Sequence, residues 1–533
     1  MDSIVKTNPS GRPSRIPFDP VATEGSLFYA FLDARNRFGG GTPALVDGDG
    51  RVLTYDELVR ASFALGHALR KDTKRDEKVG VMLPTGIGAA VAFMALCAYG
   101  RIPTMINFTF GSAELKSSIR TAEVKRVITA HRFIELGKLE ETAQTISQVA
   151  ELVYLEDVRA RLSLFSKLTG LLGSLSPNLV AHRSHHEKPA AILFTSGTEG
   201  QPKGVALSHH NILANIGQVR AHIDLYEGDV LFNPLPVFHC FGLTVGMLLP
   251  LIAGVKVICH PTPLQPREIV RRIRESRASI LLSTDTFISQ YGRAGEPGDL
   301  DSLRLAVCGA ERVRDETRTF FRRKYGMEIL EGYGVTEASP VVAANQMEAN
   351  HPGTVGRLMP GMEARLDPVE GIPNAGILKV RGPNVMLGYI RADAPGRIVP
   401  PQDGWYDTGD VASIDEDGFI AIRGRVKRFA KVGGETVSLA VVENIAAALW
   451  PDNNHAAVAV PDANKGEQIV LVTDVAGARR LDLVAWAQNH GASELAVPRK
   501  VISVAELPVL GTGKTDYVSV QKMAERDPKA EFF

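Results

Sequence analysis

Between Lys78 and Cys308, short apolar runs alternate with stretches of helical period, and this alternation restricts the chain to very few architectures. Lys78–Leu83 (KVGVML) reads as a buried strand and Ile87–Tyr99 as the helix that follows it. Val127–Ala130, Leu152–Tyr154, Ala191–Thr195, Val230–Phe232, Val255–Cys259 and Leu305–Cys308 repeat the strand pattern, with helical segments such as Arg267–Arg277 between many of them. A strand covered on both faces is apolar throughout, and parallel neighbours need a crossover that is usually helical, so the pattern predicts α/β layers with mostly parallel sheets. After about Tyr406 the texture changes to short turn-rich strands: DTGD, DEDGF, RGRVKR, KVGGE. Beyond it, a small α+β unit is predicted: helix Ser438–Leu449, strands Ala456–Val460 and Gln468–Thr473, helix Leu481–His490. The expectation is a large N-terminal domain, 1–426, and a smaller, mobile C-terminal domain, 427–533, joined near Lys427.

Composition narrows the function classes. The 533 residues allow about three or four structural units at roughly 100–200 residues each. With 44% apolar and 23% charged residues the chain can bury a large core. Lys plus Arg and Asp plus Glu both number 60, which argues against a chain-wide nucleic-acid binder. Four dispersed cysteines, Cys97, Cys240, Cys259 and Cys308, make neither a disulfide framework nor a CxxC metal site, and fit a reducing, cytoplasmic setting. The first twenty residues lack the apolar run of a secretory signal. Val79–Gly100 and Val230–Val255 are uncharged but interrupted by glycine and proline, and read as buried core rather than membrane spans. In Arg159–Leu175 the residues Leu162, Phe165, Leu168, Leu172 and Leu175 fall at helical spacing. The first reading is a helix packed on its own domain; the alternative is a weak membrane-surface contact, peripheral to the inner face.

The strongest chemical signal is Ile192–Val205, ILFTSGTEGQPKGV. A strand runs into Thr195, Ser196, Gly197, Thr198, Glu199 and Gly200, and Lys203 follows. Glycines let backbone N–H groups approach an anion, hydroxyls add donors, and the lysine adds charge, so the segment suits phosphate oxygens. The spacing is not the Walker A pattern.

TSGTEGQPKG resembles the phosphate loop of the adenylate-forming superfamily, which includes acyl-CoA synthetases, peptide-synthetase adenylation domains and luciferases. Further motifs follow in that family's order: EGYGVTE at Glu331–Glu337, YDTGD at Tyr406–Asp410, Gly424-Arg425, and Gly511–Lys514. A narrower resemblance, in LPVFHCFGLTVG, ILEGYGVTEASPVV, PGTVGRLMPGMEARL, FAKVGGETVSL and ELAVPRK, is to the acyl-acyl carrier protein synthetase portion of bacterial 2-acylglycerophosphoethanolamine acyltransferases. That family often carries an acyltransferase domain ahead of this portion, and none is expected here.

The resemblance implies carboxylate activation: ATP and a fatty acid give acyl-AMP, and a thiol then takes the acyl group. Holo-acyl carrier protein is the expected acceptor, with CoA as the alternative; an inactive adenylate-binding protein is a third reading, opposed by the retained charged residues. Thr195, Ser196, Gly197, Thr198, Gly200 and Lys203 match the pyrophosphate-holding loop. Thr336 and Glu337 match an α-phosphate contact and a Mg²⁺ ligand. Gly309, Ala310, Glu311, Tyr333 and Gly334 match the adenine walls, Asp410 the ribose acceptor, and Arg425 the ribose and phosphate arginine. Lys514 matches the adenylation lysine, His239 a residue at the mouth of the acyl channel, Lys427 the hinge, and Gly433 and Gly434 the thiol tunnel. Two rows, Arg267/Arg271/Arg274 and Arg314/Arg318/Arg322, are candidate docking charges for an acidic carrier. Neither acyl length nor oligomeric state is written in any motif.

Overall fold

The computed structural model of the protein describes residues 17–162, 164–195, 201–369, 372, 374–432, 435–462, 466–490, 494–509 and 515–526. It is α/β, and the chain divides into two compact units. The larger holds the chain to Pro352 with Leu358–Glu363 and Arg381–Tyr406; the smaller holds Gly353–Arg357, Ala364–Val380 and the chain from Asp407.

Two sheets organise the larger unit. One runs in the order Val341–Ala344, Ile329–Gly334, Leu305–Cys308, Ile280–Ser283, Val230–Asn233, Lys256–Cys259, Pro43–Val46, Val52–Thr54. The strands from Ile329–Gly334 to Pro43–Val46 are parallel. The other runs Ala394–Val399, Gly388–Arg391, Lys203–Ser208, Pro189–Thr195, Ile102–Met105, Lys78–Val81, Arg126–Thr129, Glu151–Tyr154. Its last five strands are parallel, while Lys203–Ser208 and Gly388–Arg391 join antiparallel. All four residues of Ile280–Ser283 are buried, as the continuous apolar run requires. The uncharged stretch after Val79 is the helix Ile87–Ala98, apolar on every side and buried from Ala89 onward. No helix among the described residues is long and apolar enough to cross a membrane.

In the smaller unit, Tyr406–Ile414 and Ile420–Arg425 form an antiparallel hairpin within a four-stranded sheet that also takes Glu363–Pro368 and Gly376–Arg381. The turn-rich texture therefore begins before Tyr406. A second sheet contains Phe429–Val432, Glu435–Ser438, Gly466–Thr473, His455–Asp462 and Lys500–Ser503. Strand period two splits His455–Asp462 between two cores: Ala457 packs with helices Leu439–Leu449 and Arg480–Asn489, whereas Ala456, Val458 and Val460 pack with Tyr517–Arg526. Lys427 lies inside this unit, in the one-turn 3₁₀ segment Val426–Arg428 between its two sheets.

One buried histidine couples stability to pH. His209 opens the helix His209–His222, is 3% exposed, and accepts the Leu27 N–H on Nδ1 at 3.2 Å. That bond needs an unprotonated Nδ1, and burial holds the ring down at about 4 against an ordinary 6.5. Between those values the unfolded chain binds the proton and the folded chain does not, so stability is full above pH 6.5 and falls as pH drops toward 4. Roughly 3 kcal/mol is expected to be lost over this window. Urea titrations at stepped pH check it: His209→Gln should flatten the slope, and an equal slope in both proteins would exclude His209 as the source.

Candidate active site

The phosphate-loop signature sits on a hairpin. Pro189–Thr195 ends at Thr195, which lies opposite Lys203 at the start of the returning strand, so the intervening loop is closed at its base. Ser196, Gly197, Thr198 and Gly200 lie outside the described residues, as do Gly433, Gly434 and Lys514; for Lys427 only the backbone is described.

Strand Gly388–Arg391 pairs with the other side of Lys203–Ser208, with Tyr389 opposite Val205. This brings Tyr389 beneath Lys203, whose Nζ lies 5.4 Å from the ring centroid. The Tyr389 hydroxyl donates to Glu337 Oε1 at 2.6 Å and lies 3.3 Å from the Tyr406 hydroxyl. Glu337 is 7% exposed, and its carbonyl accepts the Met386 N–H at 2.8 Å. Burial first, then the Glu337 charge, pushes both tyrosine hydroxyls far above their ordinary range, so they remain protonated donors. Tyr389 escaped the sequence reading, since only a strand pairing across nearly two hundred residues sets it beside Lys203.

The turn Thr336–Ala338 that carries Glu337 is held by a second layer of amides. Asn384 is fully buried and donates to Ala338 O at 2.7 Å, while Ser339 Oγ donates to Asn384 O at 2.9 Å. Asn215, also fully buried, donates to Val341 O at 2.8 Å. A buried polar network with its partners made fixes a loop in one arrangement.

Gly309, Ala310 and Glu311 follow the parallel strand Leu305–Cys308, at the strand end where α/β sheets bind ligands. Ala310 adopts a left-handed φ of 69°, and Glu311 accepts from the Thr286 N–H and hydroxyl at 3.0 and 2.9 Å. A side chain at Gly334 would place its Cβ 2.5 Å from Pro340 O, so only glycine fits.

Gly309, Ala310, Tyr333 and Gly334 also line an apolar cavity of about 100 Å³, together with Phe241 and Val245. Phe241 and Val245 belong to the π-helix Phe241–Leu248, the segment that follows His239 in PVFHCFG. His239 is half-buried with its ring 4.5 Å from that of Phe238. Burial pushes the Cys240 thiol up to about 12, and the Glu337 charge adds to the shift.

In the smaller unit, Asp410 and Arg425 face one another across the hairpin, with Arg425 Nε donating to Asp410 Oδ1 at 3.0 Å. The arginine side chain is 69% exposed and the carboxylate 5%.

Five of the six arginines in the two rows have carboxylate partners within the fold. Arg271 pairs with Glu268 and Glu275, Arg274 with Asp299, Arg314 with Asp285 and Arg322 with Glu328. Arg318 is buried against Glu331 and donates to Ile329 O. Helical spacing alone could not reveal these partners.

The model of AMP-binding enzymes matches residues 31–390, and the chain belongs to the AMP-binding enzyme family. It is 28% identical over 534 residues to a long-chain-fatty-acid–CoA ligase of Salmonella typhimurium, spanning 92% of this chain and 93% of that one. It is 26% identical over 495 residues to a medium-chain fatty-acid–CoA ligase of Escherichia coli, spanning 90% and 87%. The solved structure of ATP-bound MatB from Rhodopseudomonas palustris is similar with a TM-score of 0.81 and 25% identity, over 94% of this chain and 99% of that one.

Gly334→Ala is expected to cost about 1–3 kcal/mol of stability through overpacking against Pro340 and to weaken AMP binding. Thermal melts with and without AMP check this. An unchanged melting temperature and unchanged AMP stabilisation would contradict the tight approach at Gly334.

Proposed function

We propose that the protein is an ATP-dependent fatty acyl-CoA ligase. It joins a fatty acid to AMP, releasing pyrophosphate, and passes the acyl group to the thiol of CoA. The observation that carries the reading is the apolar cavity whose walls include Gly309, Ala310, Tyr333 and Gly334: an aliphatic chain in it points its carboxylate toward the nucleotide residues. Two fatty-acid–CoA ligases among the relatives support CoA over the carrier protein that the narrower motif resemblance favours. Five of the six arginines in the two rows are paired within the fold, which weakens the case for an acidic carrier docking on them.

In the first half-reaction a carboxylate oxygen attacks the α-phosphorus and the bond to pyrophosphate breaks. Lys203, with Thr195, Ser196, Gly197, Thr198 and Gly200, neutralises and orients the phosphates, work that rests on positioning and charge. Thr336 contacts the α-phosphate, Tyr333, Gly309, Ala310, Glu311 and Gly334 bound the adenine, and Asp410 and Arg425 take the ribose. Lys514 reaches the substrate carboxylate, and His239 borders acyl entry. Among the described residues no cluster of three or more His, Cys, Asp or Glu could hold a metal on its own. A lone buried carboxylate fits Mg²⁺, which takes one or two carboxylates plus substrate phosphates, so Glu337 would hold it and the ion would neutralise phosphate charge.

In the second half-reaction the thiol sulfur attacks the acyl carbonyl, the bond from that carbon to the phosphate oxygen breaks, AMP leaves and the thiol proton passes to solvent. Lys514 has to vacate the site and the Gly433-Gly434 side has to face the thiol, so the domain beyond Lys427 turns about that residue. The anchors on either side of Lys427 support a joint there. Arg425 is tied to Asp410, whereas Arg428 pairs with Glu443 at 2.7 Å and lies 3.6 Å from the Tyr517 ring centroid.

The test offers CoA and holo-acyl carrier protein side by side, with ATP and a long-chain fatty acid. Acyl-CoA should form, carrier acylation should be minor, and Glu337→Gln should lower acyl-AMP formation by roughly 10²-fold. Acylation of carrier alone would overturn the acceptor, and full activity of Glu337→Gln would remove that residue from the site.

A further inference from the structure

The helix Leu164–Leu175 is turned opposite to its hydrophobic pattern. It packs on the helix Tyr55–Leu69 through its small residues: a Cβ at Gly170 would stand 2.9 Å from Arg60 O, and one at Gly173 would stand 2.7 Å from the Phe63 ring. Ser174 is buried on the same side. The leucines point to solvent instead. Leu168, Leu171, Leu172 and Leu175 share one face by helical spacing and are 47%, 45%, 54% and 71% exposed. Leu179, on the next short helix Pro177–Val180, is 87% exposed. Four exposed leucines on one helix face, with a fifth on the short helix that follows, form the kind of apolar surface that marks a contact.

Leu179 also lines a cleft with Arg70, Lys71, Arg75, Arg101 and Arg183. Arg101 is spent within the fold, donating to Thr73 and to Tyr99 O. The other four cations are exposed, and none forms an ion pair among the described residues. Asp76 of the same turn is engaged by Lys188 at 3.2 Å. Arg159 and Arg161 are exposed just ahead of the leucine helix. The ridge and the cleft thus meet at Leu179, apolar on one side and cationic on the other.

We propose that this surface docks the protein on an anionic lipid bilayer, with the leucines entering the acyl boundary and Arg70, Lys71, Arg75 and Arg183 meeting headgroup phosphates. That combination is the amphipathic logic of interfacial helices. An acidic protein would answer the cations but not the protruding leucines. A second copy seated face to face would bring the same cations together across a twofold axis, and like charges oppose it. The surface suits a fatty-acid ligase, because long fatty acids partition into bilayers, but it stands on these residues and not on the choice of thiol acceptor.

The experiment is flotation of the full chain with vesicles of phosphatidylcholine alone and of phosphatidylcholine mixed with phosphatidylglycerol, at low and high salt. Binding is expected to the mixed vesicles only and to weaken as salt rises. Leu172→Asp/Leu175→Asp should abolish it, and Arg70→Glu/Lys71→Glu should lower it by at least about fivefold per cation. Circular dichroism and acyl-AMP formation from a short water-soluble acid should not change. The charge variant keeps the test open should the leucine variant fail to fold. Absence of wild-type binding to anionic vesicles, or binding of both variants at the wild-type level, would overturn the proposal. So would conversion of a dimer to a monomer by the leucine variant in light scattering, which would make the ridge an interface between copies.

Discussion

A carboxylate withdrawn from water must be held by donors or it gives up its charge, and the larger unit is arranged around that demand at Glu337. The Tyr389 hydroxyl meets one oxygen, and the Met386 N–H fixes the backbone behind it. The same tyrosine ring lies under Lys203, so one side chain positions two opposite charges. This needs a strand from far along the chain to lie antiparallel beside the phosphate-loop hairpin. It also needs Asn384 and Asn215, amides without exposure to solvent, to hold the turn after Gly334.

Around this polar centre the fold supplies an apolar one. The parallel strands end at Cys308 and Gly334, and the cavity is lined by those ends and by Phe241 and Val245 of the π-helix Phe241–Leu248. A π-helix is wider than an α-helix and recurs at functional sites. Here it presents Phe241 and Val245 to the cavity. Gly309, Ala310, Tyr333 and Gly334, matched by their motifs to the nucleotide, thus also line the apolar cavity. In the smaller unit the residues flanking Lys427 are held apart: an ion pair ties Arg425 to Asp410 on the strand Tyr406–Ile414, and another ties Arg428 to Glu443 on the helix Leu439–Leu449.

Much of this was legible in the residues. The strand Leu305–Cys308 lies where its apolar run put it, and Lys78–Leu83, Ala191–Thr195 and Arg267–Arg277 differ from the observed elements by one or two residues at their ends. Burial on both faces leaves no ambiguity about such runs. The antiparallel strands Lys203–Ser208 and Gly388–Arg391 were less visible, since their pairing is long-range and no local pattern encodes it. Tyr389 was lost for that reason. The strands Glu363–Pro368 and Gly376–Arg381 were missed because they are half-exposed and alternate polar with apolar residues. The leucine helix shows a different limit. Its period was plain, but period gives the faces and not which one is covered, and the close approach at Gly170 and Gly173 decided that.

In the proposed reaction the cavity takes an aliphatic chain whose carboxylate is adenylated. The most direct measurement is ATP–pyrophosphate exchange, with no thiol present, across fatty acids of graded length, acetate and a polar dicarboxylic acid. Exchange should rise with aliphatic length, fall when the cavity is exceeded, and be slight with acetate or the diacid. Exchange driven best by the polar diacid or by acetate, or none with any fatty acid, would contradict it.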